Sequence, residues 1–249
     1  MKEHIMSRLQ GKTAVVTGGG TGIGFGAAKR FIDEGAFVYL FGRRQEQLDA
    51  AVAKLGSSAR AIRGSVTDLS DLDRLYATVK AERGALDILF ANAGTGLFAP
   101  LGEITVEHYD HIFDVNVKGL VFSVQKALPL MKQGASIILT GSSTGVMGTP
   151  QFSIYSATKA AVRNLARSWA QDLRGTGIRV NVLSPGPIKT ELALEIVGEE
   201  AFDALGSTTP LGRVAAPSET GAVAAFLASS DSSFMTGSEV FVDGGLAQV

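Results

Sequence analysis

Short, mostly apolar runs alternate with longer stretches of helical spacing along the whole chain. The apolar runs predict strands at residues 13–17, 37–41, 59–63, 86–91, 136–140, 178–183 and 239–243. Apolar residues three and four positions apart predict helices between the strands, for example over residues 22–34 and 45–55. The sequence therefore predicts seven strands that alternate with helices.

The predicted strands lack the strict alternation of apolar and polar residues that marks a half-exposed sheet. Such strands suit a parallel sheet covered on both faces, and right-handed crossovers wind it into a doubly wound α/β fold. We expect one Rossmann-fold domain over residues 1–249, with a seven-stranded parallel sheet and helices on both faces. Residues 191–212 break the alternation but are too apolar for a solvated loop, which predicts a helical substrate flap.

Composition mainly excludes classes of function. The chain has 23 basic and 24 acidic residues with no block of like charge, which argues against nucleic acid or membrane as partners. It has no cysteine and no apolar run long enough for a signal peptide or a membrane span, so we expect a cytoplasmic protein. His4, His108 and His111 lack a credible set of metal-binding partners, so no metal is expected.

A glycine-rich stretch, TGGGTGIG at residues 17–24, follows the first predicted strand. Ligands bind beyond the carboxyl ends of the strands in a doubly wound sheet. Glycine at this place permits positive φ angles and lets the amides of the next helix approach a pyrophosphate. A tight turn would explain the same glycines, so the interpretation needs support from other motifs.

Four other side chains could carry chemistry. Tyr155 and Lys159 are four residues apart on one predicted helix face, where an ammonium stabilises a phenolate; a buried Tyr beside a solvated Lys is the simpler alternative. Ser142 follows the fifth strand and either binds a substrate oxygen or forms a turn. Asn116 interrupts an amphipathic helix and is either exposed or bonded to a backbone carbonyl or a water.

Taken together, these motifs resemble those of the short-chain dehydrogenase/reductase family, in its subgroup of about 250 residues. The resemblance runs along the whole chain and rests on TGxxxGxG at residues 17–24, NAG at 92–94, Asn116, Ser142, YxxxK from Tyr155 to Lys159, PG at 185–186 and VDGG at 242–245. It implies hydride transfer between a nicotinamide cofactor and a carbonyl or secondary alcohol.

The resemblance also implies a role for each candidate catalytic residue. Tyr155 would be the general acid or base, with a pKa lowered by Lys159 and by the positive nicotinamide ring. Lys159 would also hold the nicotinamide ribose, and Ser142 would orient the substrate carbonyl. Asn116 would fix a water that connects Lys159 to solvent.

The implied cofactor-binding residues lie after the predicted strands. Within this set, Asn92 would support the cofactor side of the site, and Ile188 and Thr190 would meet the carboxamide and the phosphates. The full set is Thr17, Gly18, Gly20, Thr21, Gly22, Ile23, Gly24, Gly42, Arg43, Arg44, Ser65, Val66, Asn92, Ala93, Gly94, Tyr155, Lys159, Pro185, Gly186, Ile188 and Thr190.

The chain departs from the commonest family pattern after the third strand. Many relatives have an acidic residue that bonds adenine where this chain has Ser65, so Ser65 and the Val66 backbone are expected to bind adenine more loosely. Asp68 lies three residues later at a predicted helix N-cap, and we assign it a structural role.

A second departure bears on the cofactor. The second strand of NAD-dependent Rossmann proteins usually ends in an acidic residue that accepts from the ribose 2′-hydroxyl. Here Gly42 takes that place, and Arg43 and Arg44 follow it, so guanidinium groups are available for a 2′-phosphate. The pattern favours NADP, with NAD possible; the alternative is that both arginines merely begin a solvated helix.

The expected pocket walls are residues 95–98, residues 146–154 and the flap. Their mostly apolar side chains, with Gln151 as the one obvious polar contact, favour a medium-sized, largely apolar ketone or aldehyde. The resemblance implies a homotetramer, with a dimer as the alternative. Two other functions stay open: an NAD-dependent polyol or hydroxysteroid-type dehydrogenase, and a nicotinamide-binding sensor or scaffold without turnover.

Overall fold

The structure is a computed structural model that describes residues 7–249, so the prediction for His4 lies outside the described residues. Seven parallel strands form one sheet in the order β3-β2-β1-β4-β5-β6-β7, which confirms the predicted fold class. The strands are β1 (Thr13–Thr17), β2 (Phe37–Gly42), β3 (Ala59–Arg63), β4 (Leu86–Ala91), β5 (Met131–Thr140), β6 (Arg179–Pro185) and β7 (Glu239–Val242).

Nine α-helices connect or follow these strands within residues 7–249. They are α1 (Gly22–Asp33), α2 (Gln45–Leu55), α3 (Leu69–Arg83), α4 (Val106–Phe113), α5 (Gly119–Ala127), α6 (Ser153–Asp172), α7 (Glu191–Val197), α8 (Glu199–Ser207) and α9 (Pro217–Ala228). The short helices α7 and α8 lie in the segment for which a flap was predicted.

Both faces of the sheet are buried, which explains why the strands are apolar at successive positions. In β1, Val15 belongs to a core formed with α3, α5 and α6, whereas Ala14 and Val16 belong to a second core formed with α1, α2 and α9. All three residues are fully buried. Alternate strand residues therefore serve opposite helix layers.

The fifth strand differs from its predicted bounds. It begins at Met131 rather than at residue 136, because Met131 pairs with Leu86 of β4 across an irregularity in the register. Regular pairing resumes where Ser136 meets Ile88. This pairing depends on contact with β4, and residues 132–134 are not apolar, so the local sequence did not predict the longer strand.

The chain reverses the direction of strand order at β1, which lies between β2 and β4. The crevice at the carboxyl ends of β1 and β4 is therefore the topological switch point, where doubly wound proteins bind ligands. The glycine-rich stretch and the segment that begins at Asn92 both emerge there.

A buried carboxylate joins the segment before β1 to the end of α1. Glu34 is fully buried and accepts hydrogen bonds from Arg8, with Nε to Oε2 at 2.7 Å and Nη2 to Oε1 at 2.5 Å. It also accepts from Arg30 Nε at 2.6 Å. Burial alone would raise the pKa of Glu34, but the hydrogen bonds from the two guanidinium groups outweigh burial and lower it.

We predict that Glu34→Gln lowers the free energy of unfolding by about 2 kcal/mol at neutral pH, because the three charge-assisted hydrogen bonds from Arg8 and Arg30 weaken or are lost. Since folding lowers the pKa of Glu34, its contribution is complete above the pKa of the unfolded carboxyl and is lost as the pH falls through the folded value. The difference between variant and wild type should therefore shrink in acid. Urea unfolding at neutral and acidic pH measures both effects.

Asp33→Asn is the matched control, because Asp33 is exposed and, within residues 7–249, pairs with Lys29 alone, four residues earlier on the same helix. We expect it to change stability by less than about 0.5 kcal/mol. A Glu34→Gln protein as stable as the Asp33→Asn protein at neutral pH would contradict the assignment.

Candidate active site

The glycine-rich stretch forms a tight turn between β1 and α1. Its turn begins with Gly18 at φ +65°, and the Gly18 amide donates to the Phe41 carbonyl at 2.7 Å. A Cβ on Gly24 would overlap the Gly18 carbonyl oxygen, so the first turn of α1 packs directly on the loop backbone. Thr21 is the N-cap of α1 but makes no side-chain capping bond.

This geometry fits a pyrophosphate. The first amides of α1 have no capping side chain, and the helix N-terminus favours an anion. Gly20, Thr21, Gly22 and Ile23 are each partly exposed there, so the loop is open to a ligand.

Thr17 and Asn92 join the ends of β1 and β4. The Thr17 hydroxyl accepts hydrogen bonds from the amides of Asn92 and Ala93, both at 3.0 Å. In return, Asn92 Nδ2 donates to the Thr17 carbonyl at 3.0 Å. Thr17 is buried, so its hydrogen bonds with Asn92 hold the ends of β1 and β4 together. Both residues belong to the predicted cofactor set.

Asn116 lies in a π-helical turn, Asp114–Lys118, that separates α4 from α5. The sequence predicted a helix around Asn116 but not this π-helical turn, and of the alternatives for its side chain the hydrogen bond to a backbone carbonyl is the one present. Its side chain is buried: Oδ1 accepts from the Thr95 amide at 2.8 Å, and Nδ2 donates to the Thr95 carbonyl at 2.9 Å and to Thr158 Oγ1 at 3.1 Å. Both ends of the carboxamide are engaged by protein, so it clamps the segment after β4 onto α6.

Thr158 extends this network to Tyr155. Its hydroxyl accepts from Asn116 and donates to the carbonyl oxygen of Tyr155 at 2.6 Å. Thr158 is fully buried, so no water competes for these bonds. The sequence analysis did not identify Thr158 as a site residue. Its position directly before Lys159 in the YSATK motif was the signal that could have indicated it.

Lys159 is held against the end of β5. Its Nζ donates to the Thr140 carbonyl at 2.9 Å and lies over the Tyr155 ring, 5.3 Å from the ring centroid. The side chain is buried, and burial lowers the pKa of Lys159 to about 8. The predicted pairing of Tyr155 and Lys159 on one helix face is present in α6.

Ser142 and Tyr155 meet at the same edge of the sheet. Ser142 Oγ accepts from the Thr144 amide at 3.2 Å and from Thr144 Oγ1 at 3.0 Å, which leaves its own hydrogen to donate. Burial raises the pKa of the Tyr155 phenol, and its hydrogen bond with Ser142 lowers the pKa by less. The groups of the protein thus raise this pKa, because desolvation outweighs the hydrogen bond, whereas the lowered pKa of the sequence prediction also depends on the positive nicotinamide ring.

Arginines surround the end of β2. Gly42 is its last residue, and Arg43 and Arg44 follow it with exposed side chains. In the sheet register Gly42 pairs with Arg63, whose Nε donates to the Arg43 carbonyl at 3.3 Å. Within residues 7–249, none of these three guanidinium groups forms an ion pair.

Sequence reasoning missed Arg63, because its place beside Gly42 follows from the pairing of β2 with β3. Arg44 reaches toward the glycine-rich turn, with Nη2 3.5 Å from Thr21 Oγ1. The cluster therefore lies next to the pyrophosphate loop and fits a further phosphate.

The segment after β3 is folded by its own polar groups. The Ser65 hydroxyl bonds Thr67 Oγ1 at 2.8 Å, and the Ser65 amide donates to Asp71 Oδ2 at 2.9 Å. Asp68 caps α3 by accepting from the Ser70 and Asp71 amides, as predicted. Val66 is buried against Gly119, where an added Cβ would lie 2.7 Å from Val66 Cγ2.

The segment after β6 leads into the predicted flap. Pro185 ends β6, and the next amide, that of Gly186, donates to the Val242 carbonyl at 3.0 Å. Ile188 forms an isolated parallel β-bridge with residue 215. Thr190 caps α7 by accepting from the residue 193 amide at 3.2 Å. Its Cγ2 would lie 3.0 Å from a Cβ on Gly22, so the start of the flap touches the glycine-rich turn.

Two other predictions concern metals and membranes. His108 and His111 both lie on α4, and within residues 7–249 no cluster of three potential metal ligands is found. In the same part of the chain no helix has the length and apolar character needed to cross a membrane.

A family model described as enoyl-(acyl carrier protein) reductase matches residues 18–247. The match includes the glycine-rich turn, Asn116, Ser142, Tyr155 and Lys159. The chain belongs to the short-chain dehydrogenase/reductase family. The predicted family is thereby confirmed, and the chain is an oxidoreductase of a family that binds nicotinamide cofactors.

Individual short-chain dehydrogenases/reductases match over nearly their full length. Oxidoreductase asL5 of Sarocladium schorii is 65% identical over 246 residues, which cover 98% of this chain and 99% of the relative. An NADP-dependent (R)-specific alcohol dehydrogenase of Lentilactobacillus kefiri is 34% identical, covering 96% of this chain and 97% of the relative. The crystal structure of a 3-ketoacyl-(acyl-carrier-protein) reductase from Brucella melitensis complexed with NADH has a TM-score of 0.89 and 30% identity, covering 96% of this chain and 99% of that chain.

The names of these relatives differ in substrate and in cofactor. One is described as NADP-dependent, and another was solved with NADH. Membership therefore establishes the class of oxidoreductase, and the finer assignment has to come from the residues of this chain.

We predict that Thr158→Val lowers the free energy of unfolding by about 2 kcal/mol, because Asn116 Nδ2 loses a buried partner while the side-chain volume is kept. Thr158→Ser keeps the hydroxyl and loses only a methyl group, so it should be the more stable of the two variants. Urea unfolding compares them. A valine variant at least as stable as the serine variant would show that the hydrogen bond to Asn116 contributes little.

Proposed function

We propose that this short-chain dehydrogenase/reductase transfers a hydride between NADP(H) and a carbonyl or secondary alcohol, with Tyr155 as the general acid or base. One observation carries the proposal: Ser142, Tyr155 and Lys159 meet at the carboxyl edge of the sheet, beside a loop that fits a pyrophosphate. A hydroxyl donor, a phenol and an ammonium at one place suit proton transfer to a substrate oxygen.

In the reductive direction, Ser142 donates its hydroxyl hydrogen to the substrate oxygen and orients the carbonyl. Tyr155 donates the phenolic proton to the same oxygen, and the Lys159 ammonium stabilises the phenolate that remains. The nicotinamide cofactor, when bound, supplies the hydride or accepts it in the reverse direction. The Asn116 clamp on Thr95 and Thr158 holds the tyrosine-bearing turn in place.

The preference for NADP rests on charge at the end of β2. Gly42 leaves no acidic group to repel a 2′-phosphate, and Arg43, Arg44 and Arg63 are available to bind one. The NADP-dependent relative supports this choice, while the NADH complex of another relative keeps NAD as the alternative. Ser65 and the Val66 backbone are proposed to meet the adenine.

For the substrate we propose a medium-sized, largely apolar ketone or aldehyde. Leu97, Phe98, Val146 and Leu192 belong to the predicted pocket walls and keep 43 to 46% of their surface exposed. Exposed apolar side chains of this kind favour an apolar ligand. Gln151 is also exposed and remains the proposed polar contact. A homotetramer stays the proposed assembly, with a dimer as the alternative.

We predict that Tyr155→Phe lowers kcat by a factor of about 10² to 10⁴, because the substrate oxygen loses its proton donor. The measurement is NADPH oxidation with a panel of ketones and aldehydes, and NADP⁺ reduction with the matching alcohols. Circular dichroism and thermal unfolding confirm that the variant is folded.

A Tyr155→Phe protein as active as wild type would overturn the mechanism. A wild-type protein that binds NADPH but turns over none of the panel would favour the sensor or scaffold alternative. Turnover of polyols or hydroxysteroids with NAD alone would favour the other enzyme class.

We predict that Arg43→Ala weakens NADPH binding by about tenfold to a hundredfold and leaves NADH binding unchanged, because a charge-assisted bond to the 2′-phosphate is lost. Fluorescence titration with each cofactor measures the two dissociation constants. Arg60→Ala is the matched control, because Arg60 lies on the same strand as Arg63 but opposite Tyr39, three residues nearer the amino end, and is paired with Glu82 at 2.5 Å. Equal NADPH affinity in the Arg43 and Arg60 variants would contradict the proposal that Arg43 binds the 2′-phosphate.

A further inference from the structure

Three aromatic rings form a column that ends at the proposed general acid. The Phe98 and Phe152 rings are stacked with centroids 4.4 Å apart and an interplanar angle of 27°. Phe152 and Tyr155 are stacked in the same way, at 4.3 Å and 25°. Phe98 is 44% exposed at the outer end of the column. Phe152 is therefore the one ring that contacts both neighbours.

The edge of the column is pressed against the backbone that follows β4. A Cβ on Gly96 would lie 2.9 Å from Phe152 Cζ and 3.1 Å from Tyr155 Cδ2. Contacts this close leave no room for any other residue at position 96 without movement of both rings. Glycine at this position thus permits the close packing of the two rings.

The backbone before Phe152 is strained. Gln151 has φ +60°, the one positive φ of a non-glycine residue within residues 7–249. Such a conformation is unfavourable for a residue with a Cβ and persists only where the surroundings impose it. Here the Gln151 carbonyl accepts from the Ala99 amide at 2.8 Å. The bond fixes the turn that presents Phe152 at the start of α6.

We propose that Phe152 is a positioning residue that holds the Tyr155 ring so that its phenol meets Ser142 and the substrate oxygen. The inference rests on the proposed function, because it assumes that Tyr155 transfers the proton. Three independent features support it: the stacked rings, the close approach of Gly96, and a strained Gln151 kept in place beside the site. An offset stack restricts rotation of the ring, and proton transfer requires hydrogen-bond distance and alignment.

The central experiment compares Phe152→Leu with Phe152→Tyr. Loss of the ring in Phe152→Leu should lower kcat about tenfold while KM for the ketone changes less than about threefold. Phe152→Tyr keeps a stacking ring and should restore kcat to within about twofold of wild type. A tyrosine variant as slow as the leucine variant would overturn the proposal.

A second arm separates positioning from two other roles. If Phe152 only lines the substrate pocket, KM rises and kcat is unchanged; if it only stabilises the fold, kcat per folded molecule is unchanged. Either outcome overturns the proposal. Phe37→Leu is the matched control, because Phe37 stacks edge-on with Tyr39 at the amino end of β2, away from the site. It should leave kcat unchanged.

A double-mutant cycle tests whether Phe152 acts through Tyr155. In the Tyr155→Phe background, Phe152→Leu should produce no further fall in the residual rate. A further tenfold fall would overturn the inference. If Phe152→Leu does not fold, Gly96→Ala displaces both rings while every aromatic residue is kept, and it too should lower kcat; full kcat there contradicts the proposal.

The two proposals fail in different ways. Full activity of Tyr155→Phe overturns the proposed function itself. An inactive Tyr155→Phe together with a fully active Phe152→Leu overturns only the role of Phe152.

Discussion

The hydrogen bond from Lys159 Nζ to the Thr140 carbonyl ties α6 to the carboxyl end of β5, and the geometry of the site depends on it. It brings the tyrosine-bearing turn of α6 over the strand end that is followed by Ser142. The ammonium is buried beside a carbonyl and an aromatic ring, and burial lowers its pKa to about 8. The Lys159 ammonium therefore lies close to the Tyr155 phenol, but it loses its proton at a lower pH than a lysine in water does.

A second constraint comes from the Asn116 carboxamide. It engages both backbone groups of Thr95 and the hydroxyl of Thr158, and Thr158 in turn donates to the Tyr155 carbonyl. The network joins the segment after β4, the π-helical turn and α6 in a buried environment. Since each of these polar groups has a partner, the arrangement is rigid and restricts the backbone at Tyr155.

Sequence patterns predicted the features that are local and periodic. The strands were recognisable because burial on both faces makes successive residues apolar, and the glycine-rich turn because a Cβ there would overlap its backbone. What escaped prediction depends on tertiary contacts. Arg63 lies beside Gly42 because of strand register. The π turn at Asn116 accompanies its hydrogen bonds to Thr95.

The division between rigid and variable parts explains why relatives with differently named substrates share this architecture. Ser142 follows a strand end, and Tyr155 and Lys159 lie on α6, which the buried sheet fixes in place. The proposed substrate walls lie on connecting segments, around Phe98, around Gln151 and in the helices after Thr190. Loops of this kind change in sequence without loss of the core. In this chain one of these segments contacts Tyr155 directly, because the Phe152 ring stacks on the Tyr155 ring. A change of shape in that segment would therefore also move the proposed proton donor.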